Sequence, residues 1–174
     1  MSFVDPKQLY EWCKIPAEKL AKHPKLKVPF RLIGTREEMG RLMARELVDI
    51  IAANSAKGRP TRAIIPCGPS SWYAPWTEIV NAENVSLKDF TVFHMDECLD
   101  WQGQLLPKGH PYNFRTFMER HFYGGIKSKL AVPEKQRFWL TPAAIEKVRA
   151  AIAEAPIDVT LGEVASPCSL SSIA

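Results

Sequence analysis

No run of about 18 apolar residues occurs anywhere in the chain, so no segment reads as a helix able to span a bilayer. Cysteine is sparse and scattered. Cys13, Cys67, Cys98 and Cys168 make no C-x-x-C and no zinc-like grouping, and read as free thiols in a reducing, cytoplasmic compartment. His23, His94, His110 and His121 form no ligand pattern, and no metal is expected. The start of the chain carries Asp5, Glu11 and Trp12 and lacks the apolar centre of a signal peptide. Neither G-x-x-x-x-G-K nor G-x-G-x-x-G is present, which weakens nucleotide readings. No dense basic run exists, and 23 basic against 19 acidic residues leave a net charge of +4. That balance is too mild to argue for nucleic acid and favours at most an anionic small molecule.

What is there belongs to a globular α/β chain. Hydrophobic residues make up 46% and charged residues 24% of 174 positions, enough for one domain with a sizeable core. Residues 1–30 read as an N-terminal extension. Leu9, Trp12, Cys13 and Leu20 suit short helical faces, and Pro6, Pro16, Pro24 and Pro29 cut the segment into pieces. A short strand is expected at 31–33. Thr35 and Glu38 then form a capping box, and Met39, Leu42, Met43, Leu47, Ile50 and Ile51 recur at helical spacing to about Ser55. Gly58 and Pro60 close that helix.

Strands are expected at 63–65, 90–95, 138–140 and 157–161, with Ile64, Ile65, Val92, Phe93, Ile157 and Val159 on buried strands. Helices are expected near 72–80, at 111–122 with Pro111 in the first turn, and at 142–154. This alternation predicts a Rossmann-like, mostly parallel sheet with helices on both faces. Ligands of such sheets bind at the carboxyl ends of the strands, near a topological switch point.

Two features fall at strand ends. The first is Pro66-Cys67-Gly68-Pro69-Ser70-Ser71, where Gly68, Ser70 and Ser71 either cradle a phosphate or form a plain strand-to-helix turn. The second is Asp96-Glu97, directly after a buried strand. An adjacent carboxylate pair there is costly unless solvated, hydrogen-bonded or functional, and it reads as a general base or as a strand end or helix cap. His94 stands two residues before Asp96 and either tunes it or is a satisfied core histidine. Trp72, Trp76 and Trp101 border these loops and either line a pocket or cover the sheet.

The stretches Phe93-His94-Met95-Asp96-Glu97, Leu106-Pro107-Lys108-Gly109-His110-Pro111 and Asn113-Phe114 through Phe117-Met118 to Phe122 resemble the glucosamine-6-phosphate deaminase/isomerase family, whose sister group is 6-phosphogluconolactonase. The resemblance spans residues 31–162. It implies a sugar-phosphate isomerase fold that converts glucosamine 6-phosphate to fructose 6-phosphate and ammonia, with no cofactor. It implies Asp96 as the group that moves a proton between C2 and C1 of the open-chain sugar, Glu97 as its acidic neighbour, and Gly68, Ser70 and Ser71 as substrate-binding. The implied partner is a small-molecule sugar phosphate, with a homo-oligomer as a possible assembly.

Two departures from the family pattern stand out. Cys67 and Pro69 occupy places where the family has hydroxyl residues, and a proline has no N–H to donate. After Leu161 the family continues into an aspartate-glycine-histidine element that opens the sugar ring. Here the chain reads Gly162-Glu163-Val164-Ala165-Ser166 and no histidine follows His121. Residues 163–174 read as a divergent tail on a domain incomplete at its C-terminal end. The expectation is therefore an impaired isomerase/deaminase, with a noncatalytic sugar-phosphate binding remnant or a lactonase-like hydrolase as alternatives. A sheet cut at that point is also expected to self-associate through an uncovered edge.

Overall fold

The computed structural model describes residues 5–29 and 31–162, so the expected divergent tail and Cys168 lie outside the described residues. The chain divides into two compact units, residues 1–36 and 37–174.

In the first unit, α1 (Pro6–Cys13) starts at a proline whose missing N–H costs nothing in a first turn, and the Asp5 side chain accepts from the Lys7 N–H at 3.1 Å. Pro16 separates α1 from the single turn α2 (Ala17–Leu20). Leu9, Tyr10 and Trp12 are exposed, while Ile15, Leu20 and His23 are half-buried within the unit. The strand expected at 31–33 is absent. A segment of three residues forms a strand only where a neighbour supplies ladder hydrogen bonds, and no described strand pairs with Arg31, Leu32 and Ile33.

The second unit opens one residue into α3 (Arg36–Ser55), which ends in a tight reversal at Gly58, whose φ of +65° suits a residue without Cβ. The buried side of α3 is carried by Gly40, Ala44, Leu47, Val48, Ile51 and Asn54. The expected methionines Met39 and Met43 flank this stripe and are only half-buried. Next come β1 (Thr61–Ile65), a 3₁₀ turn Ser70–Trp72, α4 (Tyr73–Ala82) and β2 (Phe90–His94). They are followed by α5 (Phe114–Met118), β3 (Arg137–Phe138), α6 (Ile145–Ala153) and β4 (Val159–Thr160).

The four strands form one sheet in the order β3-β2-β1-β4, and every pairing is parallel. The register sets Ile65 beside His94 and Val92 beside Arg137. From β1 the chain steps outward to β2 and β3, then crosses back to lay β4 against the other side of β1. The switch point lies at the carboxyl ends of β1 and β4. Strand alternation sorts side chains to two faces. Ala63, Ile65, Phe90 and Val92 join α3, Trp72, Tyr73 and Trp76 in the larger core. Ile64 and Phe93 point the other way, to Val148 and Ala151 of α6. The sheet is thus flanked by helices on both sides, as the alternating pattern predicts.

Several boundaries differ from expectation: β3 stops at Phe138, short of Trp139 and Leu140, and α6 starts at Ile145 after a 3₁₀ turn at Pro142–Ala144. Pro111 does not open the helix; it sits in a turn closed by Asn113 N–H to the His110 carbonyl at 2.9 Å. Asn113 is the cap, its side chain accepting from the Thr116 N–H at 2.8 Å and donating to the Leu106 carbonyl at 2.7 Å. After Met118 the helix widens into a π-helical turn, Glu119–Tyr123. The last strand covers two residues, with Ile157 outside it and Val159 half-buried. Asp158 pairs with Arg62 on both sides, its N–H donating to the Arg62 carbonyl at 2.9 Å and its carboxylate taking the Arg62 N–H at 2.8 Å, and the paired register starts at Val159.

Candidate active site at the strand ends

Asp96 sits two residues past the end of β2, and Cys67 two residues past the end of β1. Because the strands are parallel neighbours in register, their outgoing loops meet. The Cys67 N–H donates to Asp96 Oδ1 at 2.9 Å, fixing the carboxyl against the first loop. Asp96 is half-buried. Burial holds its proton affinity above the ordinary carboxylate range, the Cys67 N–H opposes that shift, and the charge of Glu97 adds to it. A carboxyl so placed is a better base than an exposed aspartate and remains open to a ligand.

Glu97 points elsewhere. Its Oε1 accepts from the Phe114 N–H at 2.7 Å and the Cys98 N–H at 3.1 Å, and its Oε2 accepts from the Arg115 N–H at 3.1 Å. It therefore ties the strand end to the first turn of α5, a favourable place for a negative charge.

The Cys67 thiol is pushed up to about 12 by burial and by the charges of Asp96 and Glu97. It stays protonated at neutral pH and is no nucleophile. Gly68 has φ of +136°, a conformation that favours glycine, and the Gly68–Pro69 peptide is cis. Ser71 Oγ is enclosed and has no hydrogen-bond partner among the described residues. Its carbonyl lies under α3, where a Cβ on Gly40 would stand 2.4 Å from the Ser71 oxygen. Ser70 is exposed and opens on a cleft shared with Thr77, Arg120 and His121.

The structure brings Gly68's loop and Asp96 together through Cys67, and it turns Glu97 toward α5. His94 does not share a partner with Asp96. Its Nε2 meets the Tyr123 hydroxyl at 3.0 Å and its ring lies on Trp139, the core-histidine alternative. Trp72 and Trp76 are fully buried and cover the sheet. Trp101 is 91% exposed at the tip of a loop pinched by the Leu99–Leu105 bridge. Arg120 and His121 went unassigned by sequence reasoning. The available signal was the four-residue spacing of His121 from Phe117, whose ring centroid lies 4.4 Å from the imidazole at a tilt of 42°. Among the described residues no group of three or more His, Cys, Asp or Glu side chains is placed to hold a metal ion. None of the described helices is long and apolar enough to cross a membrane.

A scan of protein-family models finds no match to the chain. Among solved structures, a monomeric glucosamine-6-phosphate deaminase, described as a missing link of the NagB superfamily, matches with a TM-score of 0.56 and 18% identity. The match covers 70% of this chain and 48% of that one, so the chain spans about half the length of the structure it resembles. At this identity the likeness shows a shared fold.

Proposed function

We propose that this chain carries the proton-transfer centre of a sugar-phosphate aldose–ketose isomerase/deaminase, with Asp96 as the base. The observation that carries the reading is Asp96 itself: a half-buried carboxyl at the end of the central strand β2, aimed by the Cys67 N–H and holding its proton more tightly than an ordinary aspartate. The fold it shares with a glucosamine-6-phosphate deaminase supports the choice of reaction class. The substrate is an open-chain 2-amino or 2-keto hexose 6-phosphate. Asp96 takes the proton from C2 of the amino sugar and returns it to C1, passing through an enolamine, and hydrolysis of the resulting imine releases ammonia. Glu97 positions the Asp96 loop by capping α5 and moves no proton. The Gly68–Ser71 loop takes the phosphate, with the Ser70 hydroxyl as a donor in place of the N–H that Pro69 lacks.

The test is solvent exchange. Incubating the full chain with fructose 6-phosphate and ammonium in D₂O should place deuterium at C1, read by proton NMR. Asp96→Asn should slow this by about 10²–10⁴-fold, the usual worth of a general base. Saturable binding of fructose 6-phosphate with no exchange would overturn the catalytic reading and leave a noncatalytic sugar-phosphate binder.

A further inference from the structure

We infer that a second anion-binding pocket, at the outer edge of the sheet, takes a small phosphorylated molecule. Beyond β3 the chain runs through Trp139 into the first turn of α6. A cavity of about 250 Å³ opens there, lined by Arg115, Lys135, Arg137 and Lys147 with Trp139 as its aromatic wall. Glu134 is the only carboxylate on that lining. None of Asp96, Gly68, Ser70 and Ser71 borders it, and the pocket adjoins the site proposed above only through Arg115, whose N–H the Glu97 carboxylate takes.

The two arginines are held in place by the fold. Arg115 lies over the Trp139 ring, 5.2 Å from its centroid, and its Nε donates to Glu119 at 2.9 Å. Arg137 lies 4.2 Å over the Tyr123 ring, and its Nε donates to the Val132 carbonyl at 3.1 Å. Both positive charges are felt by the buried His94 behind the wall. Lys135 and Lys147 are exposed and make no ion pair among the described residues. Two arginines and two lysines outnumber Glu134 on the lining and Glu119 behind Arg115, and that excess of positive charge around one small cavity favours a multiply charged anion. Planar guanidinium groups suit phosphoryl oxygens, and the amino end of α6 adds partial positive charge. The cavity is below the usual span for drug-sized ligands, about 300–1,000 Å³, which fits a phosphoryl group with a small attachment.

The experiment uses the full chain and inorganic pyrophosphate, titrated at constant ionic strength. Binding is followed by tryptophan fluorescence, with Trp139→Phe to assign the signal, and by the rise in Tm that ligand binding produces. Lys135 and Lys147 are exposed, so the Lys135→Gln/Lys147→Gln double variant should fold normally. Saturable binding is expected, weakened about tenfold in the double variant and tightened about threefold by Glu134→Gln, from the loss of individual exposed charges. A response no greater than that to chloride at the same ionic strength would overturn the proposal. Pyrophosphate held at the Gly68–Ser71 loop would bind equally well to the double variant, an outcome that also overturns the second pocket and leaves the Asp96 reading untouched.

Discussion

The imidazole of His94 lies flat on the indole of Trp139, with ring centroids 3.8 Å apart and planes within 2°. The contact joins the last residue of β2 to the residue after β3, at the point where both strands leave the sheet. With Nε2 paired to the Tyr123 hydroxyl and the ring buried, His94 is kept neutral. Burial first, then the charges of Arg137 and Arg115, push its pKa down to about 3.

That value makes stability depend on pH. Above 6.5, the ordinary histidine value, His94 is neutral in both the folded and the unfolded chain. Below it the unfolded chain binds a proton that the folded chain refuses, so stability falls as the pH drops toward 3. The slope from this one group is at most about 1.4 kcal/mol per pH unit. Urea unfolding at pH 7 and pH 5 should show the loss in the unaltered chain and a flatter dependence in His94→Gln. Equal slopes would remove His94 as the cause.

The alternation of helices and buried strands made the architecture legible, because Ile64, Ile65, Val92 and Phe93 need burial on both faces of a sheet. Pairing was less visible. Nothing local distinguishes residues 31–33, which have no ladder partner, from Arg137–Phe138, which have one. The helix start was misplaced because Pro111 signals a first turn, while the actual cap depends on Asn113 reaching Leu106 and Thr116. At the site, strand ends pointed to Asp96 and Gly68. The different partners of Asp96 and Glu97 were hidden, since they rest on which backbone N–H groups Cys67, Phe114 and Arg115 present.

Glu97→Gln should destabilise the chain without touching a reacting atom. It keeps the shape and surrenders the charge that Phe114 and Arg115 N–H groups receive. The expected cost is about 0.5–2 kcal/mol, the range of a lost helix cap. Thermal unfolding measures it, and amide exchange should show residues 114–116 opening more often. An unchanged Tm would leave Glu97 free for another role.

Gly40→Ala tests how tightly α3 presses on the first loop. The new Cβ would stand 2.4 Å from the Ser71 carbonyl oxygen and 2.6 Å from its carbon, both backbone atoms that cannot swing aside. Either the helix or the loop must shift, at a cost of about 1–3 kcal/mol. Fructose 6-phosphate affinity should fall with stability, since Ser70 and Ser71 move together. Full affinity in a destabilised variant would show that the loop does not hold the phosphate.

Asp96→Asn should separate function from stability in opposite directions. The carboxyl's proton affinity is raised chiefly by burial, so the charged form is disfavoured in the folded chain. For an acid shifted this way, the folded state binds more protons than the unfolded one between the two pKa values. Stability is full below the unfolded value and is lost as pH rises through the folded one. Asparagine keeps an oxygen for the Cys67 N–H and carries no charge, so it escapes that loss. Relative to the unaltered chain, the variant should gain Tm as the pH rises from 3.8, the ordinary aspartate value, through the raised folded one and hold that gain above it, while C1 exchange falls by about 10²–10⁴-fold. The gain is modest because the carboxyl is only half-buried and solvent screens it. Placing a costly charge where chemistry needs it is the usual trade between activity and stability. Thermal unfolding across that pH range, run beside the exchange assay, reads both arms. A variant that loses stability equally at every pH would mean that Asp96 is a structural cap for the Cys67 loop. It would then lose its place as the proton-transfer group.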